Sequence, residues 1–418
     1  MIHYITTQGV GDAWVANELH GLDRSDIPYV LHAMRPPQRL LHASAWTQTM
    51  QRESRYLYPV AAVRFLSSAA IAPVLFGRAF FSGIWNALFG QRENWRARLA
   101  ALAHFVVACH WARTLRHESV SHIHSQWAHS CATIGMYGAW LLGKPFSFTG
   151  HACDLFRDRV ALRDKIRRAE FIVCISNFHR EFYLNQGARP EQLVLVYCGI
   201  DPSIFVSKTD GEPAGGPFRI LSSARLVEKK GLCYLVEACR IMMDQGVDLR
   251  CTIGGSGPLE QEIRDQVQRL GLSAAITITG TPIQQEDLPA FMHSGDVFCL
   301  PCVWAADRDV DGLPQMLMEA MACGLPVVAT RLVGIPDLVI HEQTGLLVEP
   351  NNAEALAAAL TRLYEDQELS HRVSQAGRQY VLDKFNISDC LAPLIARYQE
   401  RLLPPSRVDV NEMATART

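Results

Sequence analysis

The twenty residues DGLPQMLMEAMACGLPVVAT, at 311–330, constrain the fold more than any other stretch of the chain. The segment opens on an acid and a glycine in a loop. Pro314 falls where a first helical residue would, because its fixed φ suits a helix and its missing N–H costs nothing there. The helix is expected to pass through Glu319 and end near Ala322. Gly324 then acts as a C-cap, Pro326 bars continuation, and VVAT reads as a short buried strand. This sequence of elements describes the ligand-binding edge of a βαβ unit, where backbone N–H groups and the positive end of a helix dipole face the loop. Asp311 and Glu319 could bracket a polyhydroxylated ligand there while the amides take an anion. A sugar diphosphate fits that pattern.

The same alternation of short apolar runs and helical stretches extends through the chain, and 418 residues exceed one ordinary domain core. Strand-like HYIT, SHIHSQW, PFSFTG, FIVCIS and LVLVYCGID punctuate the first half. In the second half the corresponding runs are FRILSSAR, DLRCTIGG, ITITG, VFCLP, PVVAT and LLVEP. Helices are expected between them, including 92–118, a basic helix 157–168, 231–245, one starting at Pro258, and 334–340. Two doubly wound parallel sheets follow, an α/β architecture of two Rossmann-like domains. The Gly/Pro/acid stretch at 207–217 reads as a linker between a first domain, 1–206, and a second, 218–385. A last helix is expected within 386–402, with a disordered tail over 403–418.

Net charge is −2, but residues 1–200 carry 21 Lys and Arg against 13 Asp and Glu, while residues 201–418 carry 19 against 29. This asymmetry suits a first half that tolerates phosphate or an anionic membrane surface. The twelve cysteines lack the spacing of a disulfide framework and read as small buried hydrophobes. Cys299 and Cys302 lack the second pair a zinc site would need, so no metal is expected. The N-terminus does not have the form of a signal peptide, which suggests a cytoplasmic protein. Residues 59–91 are the most hydrophobic stretch, cut by Arg64, Pro73 and Arg78 into pieces too short to span a bilayer. They read either as a core helix pair or as a basic, aromatic, interfacial patch.

Several further clusters surround the expected ligand edge. SARLVEKKGL places Arg225 and Lys230 near the carboxyl end of a strand, where open α/β sheets bind ligands. Lys229 reads as solvated surface. IGGSGPLE supplies Gly255 and Gly257 for close backbone approach, and TGTPIQQEDLPAF carries Thr281. In the first half, FTGHACDLF sets His151 and Asp154 just after a strand, and HIHSQWA contains His124, Gln126 and Trp127. Gly11 lies in the loop TQGVGD. Ser176 and Asn177 read as a helix cap.

These segments together resemble the signature of family-4 glycosyltransferases, the retaining enzymes of the GT-B fold, whose motif runs EGxPxxxxEAxAxGxPVVAT. Asp311 stands where most members carry Glu, as in a subset of exopolysaccharide enzymes of the colanic-acid type. The resemblance covers about 120–385 closely and 1–119 loosely. It implies a nucleotide-sugar donor on the second domain and a glycan acceptor, lipid-linked in the expected reading, on the first. Arg225 and Lys230 would hold the diphosphate without a metal. Asp311, Glu319 and His151 would complete the catalytic set. Gly11, Gly255, Gly257, Thr281, Gly312, Leu313 and Glu319 would lie at the donor, and His124, Trp127 and Asp154 toward the acceptor. No nucleic acid is expected as a partner, nor any cofactor. Two other readings compete: a dinucleotide-dependent oxidoreductase, disfavoured by incomplete glycine fingerprints, and a non-catalytic nucleotide-sugar-binding scaffold.

Overall fold

A computed structural model describes residues 1–37, 44–207 and 216–402. Most of the linker and the whole 403–418 tail lie outside the described residues. The first sheet contains β1 (Ile2–Thr6), β2 (Tyr29–Ala33), β3 (Arg55–Tyr56), β4 (His122–Gln126), β5 (Phe146–Gly150), β6 (Phe171–Cys174) and β7 (Leu193–Leu195). They pair in the order β3-β2-β1-β4-β5-β6-β7, all parallel. The second contains β8 (Phe218–Ser223), β9 (Leu249–Gly254), β10 (Ile276–Ile278), β11 (Val297–Leu300), β12 (Val327–Thr330) and β13 (Leu346–Val348). Their order is β10-β9-β8-β11-β12-β13, again all parallel. Parallel strands need helices on both faces, and the buried runs of β1, β4, β5, β11 and β12 meet that condition. Strand order reverses between β1 and β4 in one sheet and between β8 and β11 in the other. Ligands bind outside the carboxyl ends of strands at such switch points.

The two halves share an apolar seam, in which Ala152, Ile175, Ile200 and Phe205 pack with Leu313, Leu317 and Ile335. The last helix, Ile387–Leu402, lies against the first-half helix Ala13–Arg24. Its Ile387, Leu391, Leu394 and Tyr398 join Val15, Leu19, Leu22 and Val194 in one buried cluster.

The structure departs from the sequence-based expectation at several elements. Pro314 is the N-cap, with ψ 115°, and the helix begins one residue later, at Gln315–Ala322. At its other end Gly324 has φ +75°; its N–H donates to Met321 O and that of Leu325 to Ala320 O, closing a Schellman motif. The basic helix expected over 157–168 forms only at Leu162–Arg168. Its start is set from outside, by the Glu93 carboxylate accepting from the Ala161 and Leu162 amides at 2.8 and 2.9 Å. Residues 59–91 do form a helix pair, Ala62–Phe76 and Arg78–Phe89. The pair joins the first-half core through Phe65, Ala72 and Ala87, while Val63, Leu66, Val74, Phe81, Trp85 and Phe89 are exposed.

Candidate active site

The loops leaving both switch points line one cleft between the halves. Thr7, Gln8 and Asp12 follow β1, and Trp127 and His129 follow β4. Arg225, Lys229 and Lys230 follow β8, and Asp309 and Asp311 follow β11. All line a cavity of about 430 Å³. Arg225 sits in a backbone knot: Ala224 N–H donates to Gly254 O at 2.9 Å and Leu226 N–H to Ser256 O at 3.0 Å. Gly255, at φ +137°, presses against the Ala224 carbonyl, and Gly257 against Leu226. These two glycines therefore serve the strand exit that carries Arg225.

The lysines occupy a one-turn helix, Glu228–Lys230. Lys230 Nζ donates to Asp311 Oδ2, and Lys229 Nζ lies 3.2 Å from both Asp309 Oδ1 and Asp311 Oδ1. Burial alone would raise the Asp311 pKa, but the two ammonium groups outweigh it and hold it at about 2. The same pairing holds Lys230 protonated, offsetting the desolvation that would lower its pKa. Lys229, read from the sequence as solvated surface, is a cleft residue; its side chain is only 16% exposed.

Glu319 projects from the Gln315–Ala322 helix into buried space. Its Oε1 accepts from Gln285 Nε2 at 3.2 Å, while its Oε2 is buried without a hydrogen-bond partner among the described residues. Burial pushes its pKa up to about 7, with Gln285 opposing. Gln285, in the loop after β10, was not singled out from the sequence, where a QQE run reads as ordinary surface.

In the first half, His151 leaves β5 packed between Trp14 and Trp127, at ring-centroid distances of 3.8 and 4.9 Å. Its Nε2 faces Gln126 Oε1 at 3.1 Å, and burial lowers its pKa to about 4. Its backbone carbonyl meets Gly312 so closely that a Cβ there would lie 2.6 Å from the oxygen. Gly312 and the buried Leu313 therefore dock the two halves at the mouth of the motif loop.

Two acceptor-side expectations are corrected. His124 is fully buried in the sheet, bonded to Ser147 Oγ at 2.8 Å and Thr149 Oγ1 at 3.1 Å, so it cannot meet a ligand in the cleft. Asp154 is also fully buried, and its carboxylate accepts from the His151, Ala152 and Ala128 amides. It shapes the His151 loop. Lys165, buried on the other side, donates to the Ala128 and His129 carbonyls and clamps the same cleft wall. Trp127, at φ +75°, does line the cleft. Gly11 is buried against Pro37 and the cleft residue Gln8, and Thr281 is exposed in the loop after β10. Ser176 caps its helix by accepting from His179 N–H at 3.3 Å.

Residues 206–380 match the family model of glycosyl transferases group 1, and residues 84–204 match that of glycosyltransferase family 4. The chain belongs to the family-4 glycosyltransferases. Among relatives of this family, it is 36% identical over 242 residues to the amylovoran biosynthesis glycosyltransferase AmsK of Erwinia amylovora. That match covers 56% of this chain and 59% of the relative. It is 29% identical over 235 residues to a GDP-mannose-dependent alpha-(1-6)-phosphatidylinositol monomannoside mannosyltransferase of Mycolicibacterium smegmatis, covering 54% and 61%. The chain thus spans roughly three-fifths of the length of each of these relatives. The whole GT-B fold is similar to that of a Rickettsia africae glycosyltransferase, with TM-score 0.70 at 15% identity, covering 96% of this chain and 98% of the other. The Anabaena protein HepE in complex with UDP gives TM-score 0.70 at 16% identity, over 96% and 99%.

Proposed function

We propose that this family-4 glycosyltransferase moves a sugar, with retention, from a nucleotide-sugar donor to a glycan acceptor in cell-surface polysaccharide assembly inside the cell. The observation that carries this reading is the cation set Arg225, Lys229 and Lys230 on one cleft wall, in a domain that also buries a Glu319 oxygen with no hydrogen-bond partner among the described residues. A diphosphate would take the place of the Asp309 and Asp311 carboxylates on the lysines, and a ribose hydroxyl would satisfy Glu319 Oε2. The reaction breaks the bond from the anomeric carbon to the phosphate oxygen and forms one to the acceptor oxygen. The acceptor proton passes to the departing phosphate. The cations stabilise the charge growing on that phosphate, so no metal is required. The names of both relatives are consistent with the reading, since one concerns an exopolysaccharide and the other a nucleotide-sugar donor.

The test is a panel of nucleotide sugars, screened by thermal shift and then by release of nucleoside diphosphate. Stabilisation by one nucleoside diphosphate and slow donor hydrolysis that survives EDTA support the reading. A shift with NAD but with no nucleoside diphosphate would favour the oxidoreductase alternative. Binding without any donor hydrolysis or transfer would leave a scaffold.

We further propose that the acceptor is lipid-linked and that the Ala62–Phe89 helix pair rests on an anionic membrane. Phe81, Trp85, Leu88 and Phe89 form one exposed apolar stripe at helical spacing, with Trp85 66% and Phe89 63% exposed. Val63, Leu66 and Val74 form another on the neighbouring helix. No acid occurs between residues 54 and 92, whereas Arg64, Arg78 and Arg96 are exposed around the stripes. A second copy of the chain would set these arginines against themselves; anionic headgroups complement them, each contributing about 1 kcal/mol. Among the described residues no helix is long and apolar enough to cross a membrane, so attachment would be peripheral. Flotation with anionic liposomes should show binding that weakens with salt and falls when Arg64, Arg78 and Trp85 are replaced together. A protein that stays unbound at low salt excludes the membrane reading.

A further inference from the structure

A chain of buried hydrogen bonds runs from the last helix to His151, whose ring packs on the cleft residue Trp127, and converges on one carboxylate. The hydroxyls of Tyr398 and Tyr4 lie 2.7 Å apart, and Tyr4 donates to Glu18 Oε1 at 3.2 Å. Gln126 Nε2 donates to the same oxygen at 2.6 Å, and Gln126 Oε1 faces His151 Nε2 at 3.1 Å. All five side chains are buried. An ionised carboxylate can only accept. Tyr4 must therefore donate to it, Tyr398 must donate to Tyr4, and Gln126 must turn its NH₂ group toward it. Gln126 then has only its carbonyl oxygen for the histidine, whose Nε2 must carry the proton.

We infer that Glu18, acting through Gln126, holds His151 as the Nε2–H tautomer, so that the ring offers Nδ1 as a hydrogen-bond acceptor to a sugar hydroxyl. Glu18 and Gln126 are positioning residues. Their catalytic relevance rests on the glycosyltransferase reading, whereas the tautomer rests on the network alone. An imidazole locked as an acceptor suits a hydroxyl and repels a phosphate oxygen, which assigns the class of ligand group that reaches this ring. His151 is neutral at ordinary pH, because burial lowers its pKa to about 4, with Asp154, His179 and His129 around it. Burial also pushes Glu18 up to about 7, against the opposing bonds from Gln126 and Tyr4, with Tyr398 and Cys198 facing it from other elements. The fully directed network is therefore expected above neutrality.

The experiment uses the full chain labelled with ¹⁵N-histidine at pH 8, reading the long-range ¹H–¹⁵N spectrum without substrate. The His151 signals are identified by their loss in His151→Gln. The wild type should show His151 as a single Nε2–H tautomer. In Glu18→Gln, a near-isosteric change, the new amide can donate to Gln126 and let it turn, so both tautomers should appear. The turnover number of that variant should fall about tenfold or more, with the donor KM within about twofold. Tyr398→Phe removes a hydroxyl that does not orient Gln126, and should leave the single tautomer. A wild-type ring protonated on Nδ1 overturns the inference. So does Glu18→Gln with an unmixed Nε2–H ring and wild-type turnover, or Tyr398→Phe that mixes the tautomers equally. Because the spectra need no substrate, failure of the transferase reading would be seen separately, in the donor panel.

Discussion

A carboxyl buried with an unpartnered oxygen is a residue-scale cost that a ligand can remove. Burial raises the folded-state pKa of Glu319 from 4.5 to about 7, so the folded protein binds its proton more tightly than the unfolded chain does. The sign follows: between about pH 4.5 and 7 stability falls as pH rises, and the penalty is complete above the folded value, on the order of 3 kcal/mol. Glu319→Gln should flatten that decline, as read by denaturant melts across the window. A ribose hydroxyl donating to Oε2 favours the ionised form, so nucleoside diphosphate binding near pH 6.5 should release protons. Calorimetry in buffers of differing ionisation enthalpy would show the release, and Glu319→Gln should abolish it. Release that persists in the variant assigns the proton to another group. Glu319 was legible in the sequence because its motif fixes both loop and helix. Lys229 was not, because a Lys-Lys pair reads as surface until the acidic loop after β11 folds over it. His124 misled because β4 is buried on both faces, so alternation along HIHSQ carries no information about the cleft.

At the scale of elements, the strand exits place the chemistry and the glycines set their spacing. The Gly324 stop, the apolar strands and most helices could be read locally, because caps and periodicity act within a few residues. The Leu162 helix start could not, since its cap comes from Glu93, far away in sequence. Short edge strand β3 has only two residues and offers no pattern to read. Gly255 combines a left-handed φ with contact against the Ala224 carbonyl, so Gly255→Ala must move the strand exit that carries Arg225. A loss of at least about 1–3 kcal/mol is expected, together with weakened diphosphate binding. Thermal melts and diphosphate titration would check both. A variant with wild-type stability and affinity would mean the knot is soft and does not position Arg225.

Over the whole molecule, part of the charge asymmetry is spent inside the protein. Arg157 of the basic half reaches Asp307 and Asp309 of the acidic half at 2.9 and 3.4 Å, beside the cleft. The stronger tie is apolar and depends on the last helix, which follows the second domain in sequence but packs on the first. Ile387, Leu391, Leu394 and Tyr398 lose nearly all solvent contact there, and Leu391 seats against Gly21. At about 1.5–3 kcal/mol for each large apolar side chain, this seam is comparable with the net stability of an ordinary domain, about 5–15 kcal/mol. A chain ending at residue 386 should therefore lose its first domain, giving aggregated protein or a melt without the native transition. A chain ending at residue 402 keeps every described contact and should melt like the full protein. Soluble yield and calorimetry distinguish the two. Wild-type melting of the shorter chain would show that the first domain closes its own core without the last helix.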